Sequence, residues 1–200
     1  MTRIAVIIGS TRPNRRSGIV AEWVADAAGR HAAVKDGAVS VEVVDLATVG
    51  LPLLDEGVPA LMGEYGNDHT KRWAATVAAY DAFVFVSPEY NHSVPAVLKN
   101  AIDYLFAEWN HKAVGFVTYG VHGGVRAAEH LRLSMIEVQA APVRSQVALS
   151  VFTDFVLNDP TEVGVVRPGE HQEPTLHEMI DELVAWSGAL KPLRTAAGAQ

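Results

Sequence analysis

Short apolar, β-branched runs alternate with amphipathic stretches along most of this chain, and that alternation narrows its fold more than any other feature. Residues 3–8 (RIAVII), 82–86 (AFVFV) and 113–117 (AVGFV) are near-continuous hydrophobic runs of strand length. That is the pattern of strands buried on both faces of a parallel sheet. Residues 39–44 alternate before running apolar, and a fifth strand is expected within 143–149. Between them lie helical signals. Ile19, Trp23, Val24 and Ala27 recur at helical spacing, and helices are predicted at 68–80, 94–108 and 124–139. A last one, at 174–190, sets Leu176, Met179, Ile180, Leu183 and Val184 on one face. Ser17 and Ser93 are expected to cap the helices that follow them. Five strand-then-helix units predict an α/β sandwich around a mostly parallel sheet. The segments 46–67 and 154–174 read as a long loop and a connector. One domain is expected over residues 1–192, with 193–200 a flexible tail.

Composition excludes several classes. With 49% hydrophobic and 20% charged residues, the chain has enough apolar content to bury a core. Its formal net charge of -7 argues against nucleic acid as a partner. No apolar run approaches the roughly 18 residues that span a bilayer, so no membrane partner is expected. The first strand begins at once, so no cleaved leader is expected, and a cytoplasmic protein is the simplest reading. The chain has no cysteine, which removes disulfides and thiolate nucleophiles. Any redox chemistry must therefore come from a bound cofactor.

Ligands of open α/β sheets bind beyond the carboxyl ends of the strands, and the chemically distinctive residues fall on three such loops. After strand 1 comes GSTRPNRRSG. Ser10, Thr11 and Ser17 offer hydroxyls, while Arg12, Arg15 and Arg16 offer fixed charge. The next helix adds its N-terminal N–H groups. Together these suit a phosphate, although the loop alone reads equally as a solvated basic turn. It is neither a Walker loop nor G-x-G-x-x-G. After strand 3 comes SPEYNHSVPAVLKNAIDYL. Pro88 stiffens the turn, and Glu89, Tyr90 and Asn91 present backbone N–H groups and a flat ring. Ordinary turn chemistry also accounts for them. After strand 4, TYGVHGG brings Gly120, Gly123 and Gly124, which permit close backbone approach, and Tyr119, which suits a planar ligand; alternatively these glycines only turn the chain. No metal is expected: H-E-x-x-H is absent, and Glu108 and His111 lack a second motif of their kind. Tyr104, Leu105, Phe106 and Trp109 are either core or the face covered by a second subunit.

Taken together, the three loops resemble those of the NADPH-dependent FMN reductase family of flavodoxin-like proteins. The stretch PEYN…P…LKNAIDYL is the most specific element, and the likeness runs over roughly residues 3–149. It implies a flavodoxin-like three-layer sandwich with a five-stranded parallel sheet of order 2-1-3-4-5, assembled as a homodimer or homotetramer. It implies FMN and NADPH (or NADH) as cofactors. Ser10, Arg12 and Ser17 would hold the phosphate, with Thr11 and Arg15 nearby. Pro88, Glu89, Tyr90 and Asn91 would line the isoalloxazine ring, and Tyr119, Gly120 and Gly123 would close its other side. Backbone N–H groups at Glu89–Asn91 would stabilise negative charge near N1 and C2=O, with no catalytic side chain required. The implied activity is NAD(P)H oxidation with electrons passed to a small-molecule acceptor: a quinone, an azo compound, free flavin or a metal oxyanion. The rivals are a flavin-binding electron carrier that does not oxidise NAD(P)H, and a phosphate-ligand sensor without turnover. This chain departs from the family at Asn14, where glycine is common, and in the added charge of Arg15 and Arg16.

Overall fold

The structure, a computed structural model, describes residues 1–197. Five parallel strands form one sheet of order β2-β1-β3-β4-β5: β1 (Thr2–Ile8), β2 (Val39–Asp45), β3 (Ala82–Pro88), β4 (Ala113–Gly120) and β5 (Ala141–Ser150). Register is set centrally, where Ile4 of β1 lies opposite Val41 of β2 and Ala82 of β3. Strand period then divides the apolar runs between two cores. Ile4, Val6, Val84 and Val117 face Val20 and Val24 of α1 (Ser17–Arg30) and Leu176 and Ile180 of α7 (Gln172–Ala197). Ala5, Ile7, Phe83, Phe85 and Phe116 face the opposite helix layer. That layer comprises α4 (Asp68–Ala78), α5 (Ala96–Asp103) and α6 (Val125–Glu137). The result is the three-layer, flavodoxin-like order that the alternation and the resemblance imply. Gly115 is where α7 seats on β4, since a Cβ there would lie 2.5 Å from Met179 Sδ.

Several local expectations give way to tertiary partners. Ser17 does not cap α1 but is its first residue; Arg16 holds the cap position without a side-chain bond. Nor does Ser93 cap α5, whose cap position is Pro95; Ser93 Oγ instead lies 2.9 Å from His130 Nδ1. The α5 helix stops at Asp103, well short of residue 108. Trp109 folds back to donate Nε1–H to the last-turn carbonyl of Ile102 at 3.2 Å. Tyr104, Leu105 and Trp109 are core, and Phe106 packs against it half-buried.

The expected loop at 46–67 holds two short helical pieces. One is α3 (Leu46–Val49), capped by Asp45 accepting from the Ala47 N–H at 2.9 Å. The other is a 3-10 turn at Ala60–Met62. A further short helix, α2 (Ala32–Lys35), follows α1. The connector contains a small antiparallel hairpin, β6 (Phe155–Val156) with β7 (Val165–Val166). Across the segment expected as a tail, α7 continues to Ala197, and Arg194 donates to Asp81 Oδ1 at 2.9 Å; residues 198–200 lie outside the described residues. Among the described residues, no helix is long and apolar enough to cross a membrane.

Candidate active site

A cleft of about 290 Å³ opens at the carboxyl edge of the sheet. Three loops meet there because β1, β3 and β4 are adjacent and parallel. Eight of the candidate ligand-binding residues singled out from sequence line it: Arg12, Arg15, Arg16, Pro88, Glu89, Tyr90, Tyr119 and Gly120. Ser10 and Ser17 are buried just behind its wall. Their hydroxyls tie the loops together, Ser10 Oγ lying 3.0 Å from the Tyr90 hydroxyl and Ser17 Oγ 2.7 Å from that of Tyr119. Each pair joins the first loop to an aromatic of another. Thr11 and Asn91 are exposed and, with Gly123, stand outside the lining.

The three arginines of the first loop have different fates. Arg15 forms an ion pair with Asp45 at the end of β2, and its Nε is buried in the cleft wall without a partner. Arg16 donates to the carbonyls of Val163 at 3.1 Å, Pro160 at 2.9 Å and Glu162 at 2.7 Å. Arg12 is exposed at the cleft, and among the described residues its guanidinium has no hydrogen bond or ion pair. Beside it, the first turn of α1 carries no side-chain cap, so its N–H groups and the positive end of the helix are open to an anion. Asn14 has φ 54°. Asparagine tolerates this left-handed conformation better than other non-glycine residues, which accounts for its place where glycine is common.

The second and third loops form the rest of the wall. Tyr90 and Ser93 exchange backbone bonds of 2.8 and 3.0 Å around Asn91 and His92, both at positive φ, which makes a tight hairpin-type turn. Glu89 donates its N–H to the Tyr119 carbonyl at 3.0 Å, locking the two loops. Its carboxylate pairs with the Arg126 guanidinium and accepts the Arg126 N–H at 3.1 Å. Burial pushes the Glu89 carboxyl up, but these donors outweigh it and hold it below the ordinary range. Burial likewise pushes the Tyr119 phenol up, so it stays protonated. Gly124 starts α6 at φ 71°, where a Cβ would lie 2.8 Å from the Tyr119 N. No cluster of three or more potential metal ligands occurs among the described residues. Glu108 instead accepts from the Tyr65 hydroxyl at 2.8 Å.

Sequence reasoning missed part of the lining: Val121, Val151 and the run Pro160, Thr161 and Glu162, while Asn14 stood out only as a departure from the family. The last run belongs to the connector and carried no recognisable motif.

A family model described as NADPH-dependent FMN reductase matches residues 2–154. The NAD(P)H-dependent FMN reductase of Schizosaccharomyces pombe is 38% identical over 170 residues, covering 83% of this chain and 79% of its own. That of Nectria sp is 35% identical over 168 residues, covering 80% and 82% respectively. Among solved structures, the flavoenzyme NAD(P)H:(acceptor) oxidoreductase FerB of Paracoccus denitrificans matches with a TM-score of 0.68. The two are 21% identical, over 94% of this chain and 98% of that one, a likeness of fold.

Proposed function

Because this chain belongs to the NADPH-dependent FMN reductase family, we propose that the cleft at the carboxyl edge of its sheet is where this NAD(P)H-dependent oxidoreductase holds FMN. Arg12 carries the assignment. It is the one arginine of the first loop with an uncommitted guanidinium among the described residues, and it stands beside the uncapped start of α1. A phosphate there would also meet the unpartnered Nε of Arg15. The donor set fits the group.

When bound, FMN would supply the redox chemistry between NADPH or NADH and a small-molecule acceptor. The protein binds, orients and shields. Tyr90 offers a flat face fixed by Ser10, and Tyr119, buried with its hydroxyl on Ser17, backs the wall. Pro88 and Gly120 bring backbone close to the ring position. Glu89 stays ionised, but its charge is matched by Arg126, so it does not repel negative charge on a reduced ring. Neither proton transfer nor a nucleophile is asked of any side chain. The reading extends to a homodimer or homotetramer in the cytoplasm, where reduced nicotinamide is supplied. Exposed Val121, Val125 and Phe152 near the cleft support assembly, and light scattering tests it.

The visible spectrum of the purified protein with FMN, followed anaerobically on adding NADPH and then NADH, tests the function. Bleaching of the flavin bands is expected. Uptake without bleaching would make the protein a carrier, and no uptake would remove the assignment.

A further inference from the structure

We propose that Arg16 is a positioning residue: it pins residues 158–163 as a roof over the cleft and so sets how long flavin stays bound, whether or not the flavin carries a phosphate. The proposal rests on the FMN reading above.

The roof is the tip of the β6–β7 hairpin. Its base is firmly held. The Asp154 carboxylate accepts the N–H groups of Ser150 at 3.0 Å and Gly169 at 2.9 Å, and the Thr153 hydroxyl at 2.8 Å. The tip is folded on itself. Asp159 accepts the Thr161 N–H at 2.7 Å, and the Glu162 N–H reaches the Asp159 carbonyl at 3.1 Å. Such a tip moves as a unit about its base, and a hairpin with two paired residues per strand is weak on its own.

Among the described residues, each hydrogen bond between 158–163 and the rest of the chain comes from Arg16. Its planar fork reaches three carbonyls of the tip, 144 to 147 residues away in sequence. Pro160, Thr161 and Glu162, held in this way, line the cleft together with Tyr90 and Tyr119. Arg16 turns Nε and Nη2 to the roof, whereas the guanidinium of Arg12 makes no hydrogen bond or ion pair among the described residues. Arg12 and Arg16 therefore divide the work, one gripping the ligand and the other closing the wall.

The test has two arms. In the absence of flavin, digestion by a glutamate-specific protease reads the pin directly, because Glu162 sits in the exposed tip. R16A is expected to be cut after Glu162 about tenfold faster than wild type, as three hydrogen bonds from a charged donor are lost. Equal cutting overturns the pin. In the second arm, stopped-flow fluorescence follows FMN and riboflavin. R16A should release both about tenfold faster and leave their affinity ratio unchanged, whereas R12A should weaken FMN alone. If R16A weakens FMN but not riboflavin, Arg16 is a phosphate ligand and the proposal fails. R16K keeps the charge without the fork, so it should behave like R16A; wild-type behaviour would also refute the pin. R16Q serves the same arms if R16A folds poorly. Wild-type protein that takes up neither flavin sinks the FMN reading and the residence claim with it, while the protease arm still decides the pin.

Discussion

At the amino end of the sheet, the buried and half-buried charges are satisfied by the chain itself. Asp81 accepts the Arg3 N–H at 3.0 Å and Arg194 Nη2 at 2.9 Å, and Arg194 also donates to the His111 carbonyl at 2.7 Å. Lys112 is buried and donates to the α4 carbonyl of Val77 at 2.8 Å. Arg3 and Tyr80 both reach Glu42. The carboxyl end has as much charge, but Arg12 and the first turn of α1 are left open there. Both rims are polar; what separates a structural rim from a binding rim is uncommitted donors. Charge density alone would not have told them apart.

The contrast can be broken from either side. The largest effect is expected for Gly124→Ala, which combines positive φ with a clash against the Thr118–Tyr119 backbone. It should cost about 3 kcal/mol in urea unfolding and loosen flavin binding as well. Next comes Arg12→Ala, expected to weaken FMN about 100-fold by fluorescence titration, roughly 2.7 kcal/mol, with unfolding unchanged. At the other rim, Asp81→Ala should do the reverse: it strands Arg194 and the Arg3 N–H, costing about 2 kcal/mol of stability with FMN affinity intact. If Arg12→Ala or Asp81→Ala moved both readouts equally, the distinction would be erased.

The smallest effect is a pH dependence at Lys112. Burial, with Arg194 nearby, pushes its ammonium down to about 8 from the ordinary lysine value of 10.5. Between those values the unfolded chain binds the proton more readily than the folded one, so stability rises as pH climbs through the window. The carbonyls that accept from the ammonium offset part of the burial cost, so the rise stays below the roughly 3 kcal/mol that the full shift would give. Lys112→Met should flatten that slope in urea melts taken at about pH 7.5 and about pH 10, below and well into the window.

The central strands were legible because β1, β3 and β4 are buried on both faces, and an unbroken apolar run of strand length between turn residues suits little else in an α/β chain. The cleft lining was legible where it lies at or just past the ends of those strands, as Arg12, Pro88, Tyr90 and Tyr119 do. Long-range side-chain bonds were not. Ser17 and Ser93 carry good capping chemistry, yet Tyr119 and His130 draw their hydroxyls away. The end of α5 was set by Trp109 reaching back to Ile102, a contact no local pattern encodes. The roof was the least readable part, because Arg16 grips it through backbone carbonyls, which any sequence at 160–163 would present. Nor did any local pattern show that β2 brings Asp45 beside Arg15.

The last helix has a consequence for synthesis. It leaves the connector at Gln172, whose Nε2 donates to the Ala148 carbonyl at 2.9 Å, crosses the sheet, and places Arg194 on Asp81. A nascent chain could lay down all five strands on the ribosome and still show water the Val143 and Val147 side of its core, which Met179 covers only later. Completion thus waits for the final turns to emerge, and until then the half-covered sheet is the surface a chaperone would meet.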